Sequence, residues 1–223
     1  MDQEILPVPE EGGQDYALKA AKGALGAFPL VGGLMGELVT MCIEPNYQKR
    51  MREWMEATNM ILTQLIESGI SKEEIFENEK FQSLFVKSSK IYMENIEEYK
   101  KPLLRAAFQS AIISNLALDK KYIFLDMVAQ LTETQLMILK GIYDNEQLYE
   151  TGTHLYGDAL REQFSERYTG GDFHYYELLQ HGLENFRLLN HAVTDPAIEN
   201  NNRVEWHLTT STIGKEFIEY IDS

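Results

Sequence analysis

The residues with the best claim to chemistry in this chain are five histidines, one cysteine and several clusters of glycine. His174 and His181 are seven positions apart, which on a helix puts them on one face. With Asp172 or Glu177 beside them they have the residue types of a metal site. No HExxH or CxxC pattern frames them, so surface or partly buried histidines are the simpler reading and no metal is expected. Cys42 lies in an apolar run, with no adjacent basic residue in the sequence to favour its thiolate. No GxSxG elbow is present. The glycine clusters GALGAF and VGGLMGE match neither the dinucleotide-binding nor the P-loop spacing, and read as close helix packing or turns. Carboxylate pairs are numerous, as an acidic chain makes inevitable, and they read as solvated helix faces. No nucleophile, base and stabiliser come together as a set, so the chain is expected to be no enzyme and to carry no cofactor.

The elements that would position these residues follow from the pattern along the 223 residues. Residues 1–15 are acidic and contain Pro7, Pro9, Gly12 and Gly13, and read as a mobile leader. The absence of a basic n-region and the single cysteine make a reducing, cytoplasmic setting the default. Gly23 to Ile43 carries one charge, Glu37, and is about as long as the roughly 20 residues that cross a bilayer. Its five glycines and Pro29 disfavour an isolated helix. Gly32, Gly33, Leu34 and Gly36 form its small-residue stretch, where the Gly32 and Gly36 pair would let another helix approach closely.

Asn46 to Ser68 predicts an amphipathic helix with Tyr47, Met51, Trp54, Thr58, Ile61 and Leu65 on one face, ended by Gly69. Ser71 and Glu74 form a capping box, and Phe81, Leu84, Phe85, Ser88, Ile91, Tyr92 and Tyr99 follow along one face. A break is expected near Lys101 and Pro102. Leu103 to Leu118 then reads as a helix with small Ala107, Ala111 and Ser114, and Asp119 is positioned to cap another helix running to Gln130. Residues 16–130 are thus expected to form a helical bundle.

A second capping box, Thr132 with Gln135, opens residues 131–223. Helices are predicted at Glu133 to Asp144, Gly157 to Tyr168 and Phe173 to Asn190. A strand through Val204, Trp206 and Leu208 is expected to pair with Leu188 to Val193. A last helix is expected from Ser211 to Ile221. The order of three helices, hairpin and helix, with LTETQLMILKGI, FRLLNHAV and LTTSTIGKEFIEYI, resembles a winged-helix domain. The fold expected is mostly α: an N-terminal helical bundle followed by a winged-helix-like domain with a small antiparallel β-hairpin.

The segment PLVGGLMGELVTMCIEPNYQKRMREW resembles the start of a group of bacterial proteins of unassigned activity, through its apolar Gly-rich run, acidic residue with proline, basic pair and Trp. That resemblance implies a bacterial or phage-related source and an association with anti-phage defence.

Charge sorts the functional readings. The net charge is −15, and from Thr132 onward six Lys and Arg face sixteen Asp and Glu, a balance of −10. The helix that a winged helix would place in the major groove offers His174, Glu177, His181 and Glu184, with Arg187 as its lone cation. Phosphate is neutralised by several cations, and guanine is usually read by arginine. Nucleic acid is therefore disfavoured, and a polypeptide partner is expected on that face. The apolar faces leave room for a homodimer. The leading reading is a non-enzymatic protein-interaction or regulatory protein. A conditional membrane-active effector in defence, using residues 23–43, and a winged-helix DNA-binding regulator are the alternatives.

Overall fold

The structure is a computed structural model that describes residues 45–147, 157–193 and 206–222. Residues 1–44, and with them Gly32, Gly33, Leu34 and Gly36, lie outside the described residues. The described chain is mostly helical with one two-stranded antiparallel sheet, and it divides into two compact units between Ala129 and Gln130.

In the first unit α1 spans Pro45–Glu67, α2 Lys72–Phe76, α3 Glu79–Glu94, α4 Lys100–Ile113 and α5 Leu118–Gln130. Along α1 most of the predicted stripe goes inward: Met51, Trp54, Thr58, Ile61 and Leu65 are buried, while Tyr47 in the first turn is only partly covered, with the Arg50 guanidinium over its ring. Gly69 ends the helix in the left-handed region at φ 101°, where a side chain would be strained. Its amide donates to the Ile66 carbonyl at 3.0 Å and the Ile70 amide to Leu65 at 3.2 Å, the paired bonds of a Schellman turn.

The Ser71 and Glu74 box forms in both directions. It opens only a short helix, however, because Asn78 caps a new one by accepting from the amides of Lys80 and Phe81. Aromatic packing supplies the core. The Trp54 ring lies 4.9 Å from Tyr92 and 5.2 Å from Phe108, centroid to centroid, and its indole N–H donates to Ser89 Oγ at 2.8 Å. Phe81 and Phe85 close on Phe108 at 6.1 and 6.2 Å. Ala107 and Ala111 of α4 are fully buried beside Phe108 in the chain.

The expected break at Lys101 and Pro102 is displaced. It runs from Asn95 to Tyr99, and Pro102 sits in the first turn of α4. A missing amide costs nothing there, since first-turn donors have no intrahelical acceptor. Lys100 and Lys101 are buried. Lys100 Nζ donates to the Ala129 carbonyl at 2.7 Å, in the last turn of α5, where a cation meets orphaned carbonyls and the negative end of the helix dipole. α4 stops at Ile113, short of the expected Leu118.

The second unit runs α6 (Glu133–Gln147), α7 (Gly157–Thr169), α8 (Phe173–Asn185), β1 (Leu189–Val193), β2 (Trp206–Thr210) and α9 (Thr212–Asp222). The strands pair antiparallel, with Leu189 opposite Thr210 and Val193 opposite Trp206. The Thr132 and Gln135 box forms: Gln135 Oε1 accepts the Thr132 amide at 3.0 Å, and the Gln135 amide donates to Thr132 Oγ1 at 3.2 Å. The same Gln135 side chain donates from Nε2 to the Leu179 carbonyl of α8 at 3.1 Å. Gly182 makes room for it, because a Cβ at that position would lie 2.2 Å from Nε2.

Ser211 caps α9 by accepting the Gly214 amide at 2.9 Å, and donates its own hydroxyl proton to the Arg187 carbonyl at 2.6 Å. A Cβ on Gly214 would come within 2.2 Å of the Leu188 carbonyl oxygen, which gives the glycine of the TIGKEF segment a steric reason. From α9, Phe217, Ile218, Tyr220 and Ile221 are buried.

Candidate functional site

The candidate site is the outer side of α8. Asp172 begins the helix by accepting the Tyr175 amide at 3.0 Å, after the two left-handed glycines Gly170 and Gly171 have turned the chain. Tyr176, Leu179, Gln180 and Leu183 go into the core. Burial pushes the Tyr176 phenol up to about 12, the nearby Arg161 charge only partly opposing it, so the phenol is neutral at physiological pH.

The five residues singled out from the sequence do not form one free polar face. His174 is almost wholly exposed, and His181 is exposed about two turns further on. Glu177 is half-buried and ion-paired, its Oε1 2.8 Å from Arg161 Nη2. Glu184 is half-buried and accepts from Gln180 Nε2 at 2.7 Å. The largest correction concerns Arg187. The helix ends at Asn185, five residues before the predicted Asn190, and Arg187 lies beyond it with φ 59°. Its amide donates to Glu184 at 2.8 Å and the Leu188 amide to Leu183 at 3.0 Å, so arginine occupies the position that Gly69 holds at the end of α1. The chain must leave the helix there because Leu188 and Leu189 are drawn into the core.

What the periodicity reading missed is the apolar part of the exposed side. Phe173, Tyr175 and Leu178 are 39, 45 and 66% exposed. The spacing held the clue: His174, Leu178 and His181 recur at four and three, so Leu178 shares the outward face with the histidines instead of the stripe through Tyr176, Leu179 and Leu183. The Arg161 guanidinium lies 4.9 Å over the Phe173 ring while it pairs with Glu177, which fixes the start of the face. No Lys or Arg occurs within α8.

Among the described residues no group of three His, Cys, Asp or Glu side chains is placed to hold a metal ion. No helix of the described residues is long and apolar enough to cross a membrane. No protein-family model, no curated protein and no solved structure matches this chain.

Proposed function

We propose that the protein acts by binding another polypeptide, without chemistry of its own, through the outer side of α8. The observation that carries this reading is the exposure of Phe173, Tyr175 and Leu178 on a helix without a single cation. Large apolar and aromatic side chains gain free energy when a partner covers them, and aromatic residues are over-represented at protein interfaces. A polyanion gains nothing from such a face, because phosphate contacts call for several Lys or Arg. We read the order α6, α7, α8, β1, β2, α9 as a winged-helix-like arrangement in which the helix usually turned toward DNA serves protein recognition instead.

Photocrosslinking tests this in cells that carry the protein. A photoreactive residue at Leu178 should yield a discrete adduct with another polypeptide, and one at exposed Glu219 on α9 should not. Equal adducts at both positions, or a retarded DNA probe at low salt that Leu178→Ser leaves unchanged, would turn the reading down. A membrane-active role rests on the composition of Gly23 to Ile43 alone, and vesicle leakage by the purified chain is its direct test.

A further inference from the structure

The exposed side of α8 continues into a groove of about 1030 Å³ beside α7. Phe173 belongs to both: it lines the groove and opens the helix. At about 100° per residue, Phe173 and Tyr175 stand at the two edges of the outward side of α8, with His174, Leu178 and His181 between them. The apolar face therefore has the groove along one edge.

Carboxylates dominate that edge. Glu162 and Glu166 line the groove from α7, one turn apart and both exposed. Among the described residues neither has a cationic partner. Glu166 lies against bare backbone, since a Cβ on Gly171 would come 2.9 Å from its Oε2. The arginines are placed otherwise. Arg161 is paired with Glu177 and lies over Phe173, and the Arg167 guanidinium is 5.3 Å from the centre of the Tyr168 ring. From Arg161 to Arg187 three arginines meet five carboxylates, Glu162, Glu166, Asp172, Glu177 and Glu184, a balance of −2. Arg187 stands past the end of α8, about 20 Å along the axis from Phe173 at a rise of about 1.5 Å per residue. Around the start of α8, Arg167 is thus left to offset Glu162, Glu166 and Asp172 together.

We propose that the occupant of this face is a basic amphipathic segment of another polypeptide. Its apolar side covers Phe173, Tyr175 and Leu178, and a Lys or Arg at its edge enters the groove to pair with Glu162 and Glu166. This rests on polypeptide recognition by α8 and adds the chemistry of the partner. Apolar burial supplies the binding free energy, and the carboxylates select the sign of the partner and speed its approach. A second copy of this chain is the wrong occupant, because a two-fold contact through this face would set the same carboxylates against one another.

The probe is a labelled amphipathic peptide of leucine and lysine, about 14 residues long to match the length of α8. It is titrated into the full chain at low salt and followed by fluorescence anisotropy and by the Leu178 methyl NMR signals. Both readouts should saturate together, and binding should weaken as salt is added. A peptide of the same pattern with glutamate for lysine should not bind. Leu178→Ser should weaken binding at least tenfold, and so should the exposed pair Glu162→Lys with Glu166→Lys. Glu219→Lys, on the exposed side of α9, should leave it within twofold. Equal binding of the glutamate peptide, equal losses in Glu219→Lys and the double variant, or a dimer of the chain that Leu178→Ser dissolves overturns the proposal. If neither peptide binds while Leu178 still yields its crosslinked adduct in cells, the basic partner falls and polypeptide recognition stands. Without that adduct both fall.

Discussion

The two units are held together by different means. In the first, aromatic rings fill the interior, and Trp54, Tyr92, Phe81, Phe85 and Phe108 touch one another across α1, α3 and α4. In the second, elements approach until a side chain or carbonyl occupies the space a Cβ would need. Gln135 lies against Gly182, the Leu188 carbonyl against Gly214 and the Tyr168 hydroxyl against Gly141. Polar links accompany these approaches. Glu146 accepts the Thr210 amide and lies 2.8 Å from Lys215, and Lys140 pairs with Asp222 at 2.7 Å. A core built on large rings is vulnerable to loss of volume. One built on close backbone approach is vulnerable to its addition.

The largest expected effect attacks the ring core. Trp54→Ala should cost about 3–5 kcal/mol in a urea unfolding curve, the usual range for deleting a buried aromatic. A cost below about 1 kcal/mol would mean the rings are not the main support of the first unit. The complementary change is Gly214→Ala. Its Cβ meets a backbone carbonyl that cannot swing aside, so a loss of about 3 kcal/mol is expected, the upper part of the range for overpacking. Stabilisation, the usual result of replacing a helical glycine by alanine, would refute the close approach.

Next comes the ion pair of Glu53 and Lys101. Burial raises the Glu53 carboxyl, but the Lys101 hydrogen bond and the charges of Lys101, Lys49 and Arg105 outweigh it and leave the group below its ordinary 4.5. Its contribution is therefore present above that unfolded value and is lost as the pH falls through the lower folded one. For Lys101, burial lowers the ammonium, and the bonds to Glu53 and Glu98 more than reverse this, holding it above 10.5. That contribution is present below 10.5 and is lost as the pH rises through the folded value. Glu53→Gln should cost about 1–3 kcal/mol at pH 7, between the values for exposed and buried pairs. It should also flatten the fall in melting temperature below pH 4.5, and an unchanged acid limb would show that Glu53 does not act through its charge.

The smallest effect has the opposite sign. α1 and α8 end in the same turn, but with glycine at Gly69 and arginine at Arg187. Arg187→Gly should relieve left-handed strain and stabilise by about 0.5–1 kcal/mol after glycine's greater chain entropy is deducted. A destabilised variant in the same unfolding assay would mean that the Arg187 side chain contributes a compensating contact.

Local signals carried much of this architecture. Both capping boxes, the inward stripe of α1 and the glycine stop at 69 follow from spacing and backbone chemistry, and so does the mostly helical class with its one small antiparallel pair. Long-range geometry hid the rest. The burial of Lys100 and Lys101 has no sign in the sequence, because nothing nearby announces the Ala129 carbonyl or Glu53 as partners. Asn78 caps a helix inside what is one continuous apolar stripe in the sequence, and the end of α8 is hidden because arginine seldom ends a helix in the left-handed region. At the candidate face the histidines were legible as outward. Glu177 and Glu184 were not legible as half-buried, since Arg161 lies on another helix and Gln180 is a polar residue turned inward. The Gly-rich stretch 23–43 lies outside the described residues.

Gln135 serves two helices with one carboxamide. A capping box accepts glutamate as readily as glutamine, since only the side-chain oxygen faces the cap amide. The Leu179 carbonyl is more selective: it needs the nitrogen. Deamidation at this position would keep the start of α6 intact and set a carboxylate oxygen against a carbonyl oxygen, so slow chemical ageing of a single amide would remove one link between α6 and α8 while leaving each helix whole.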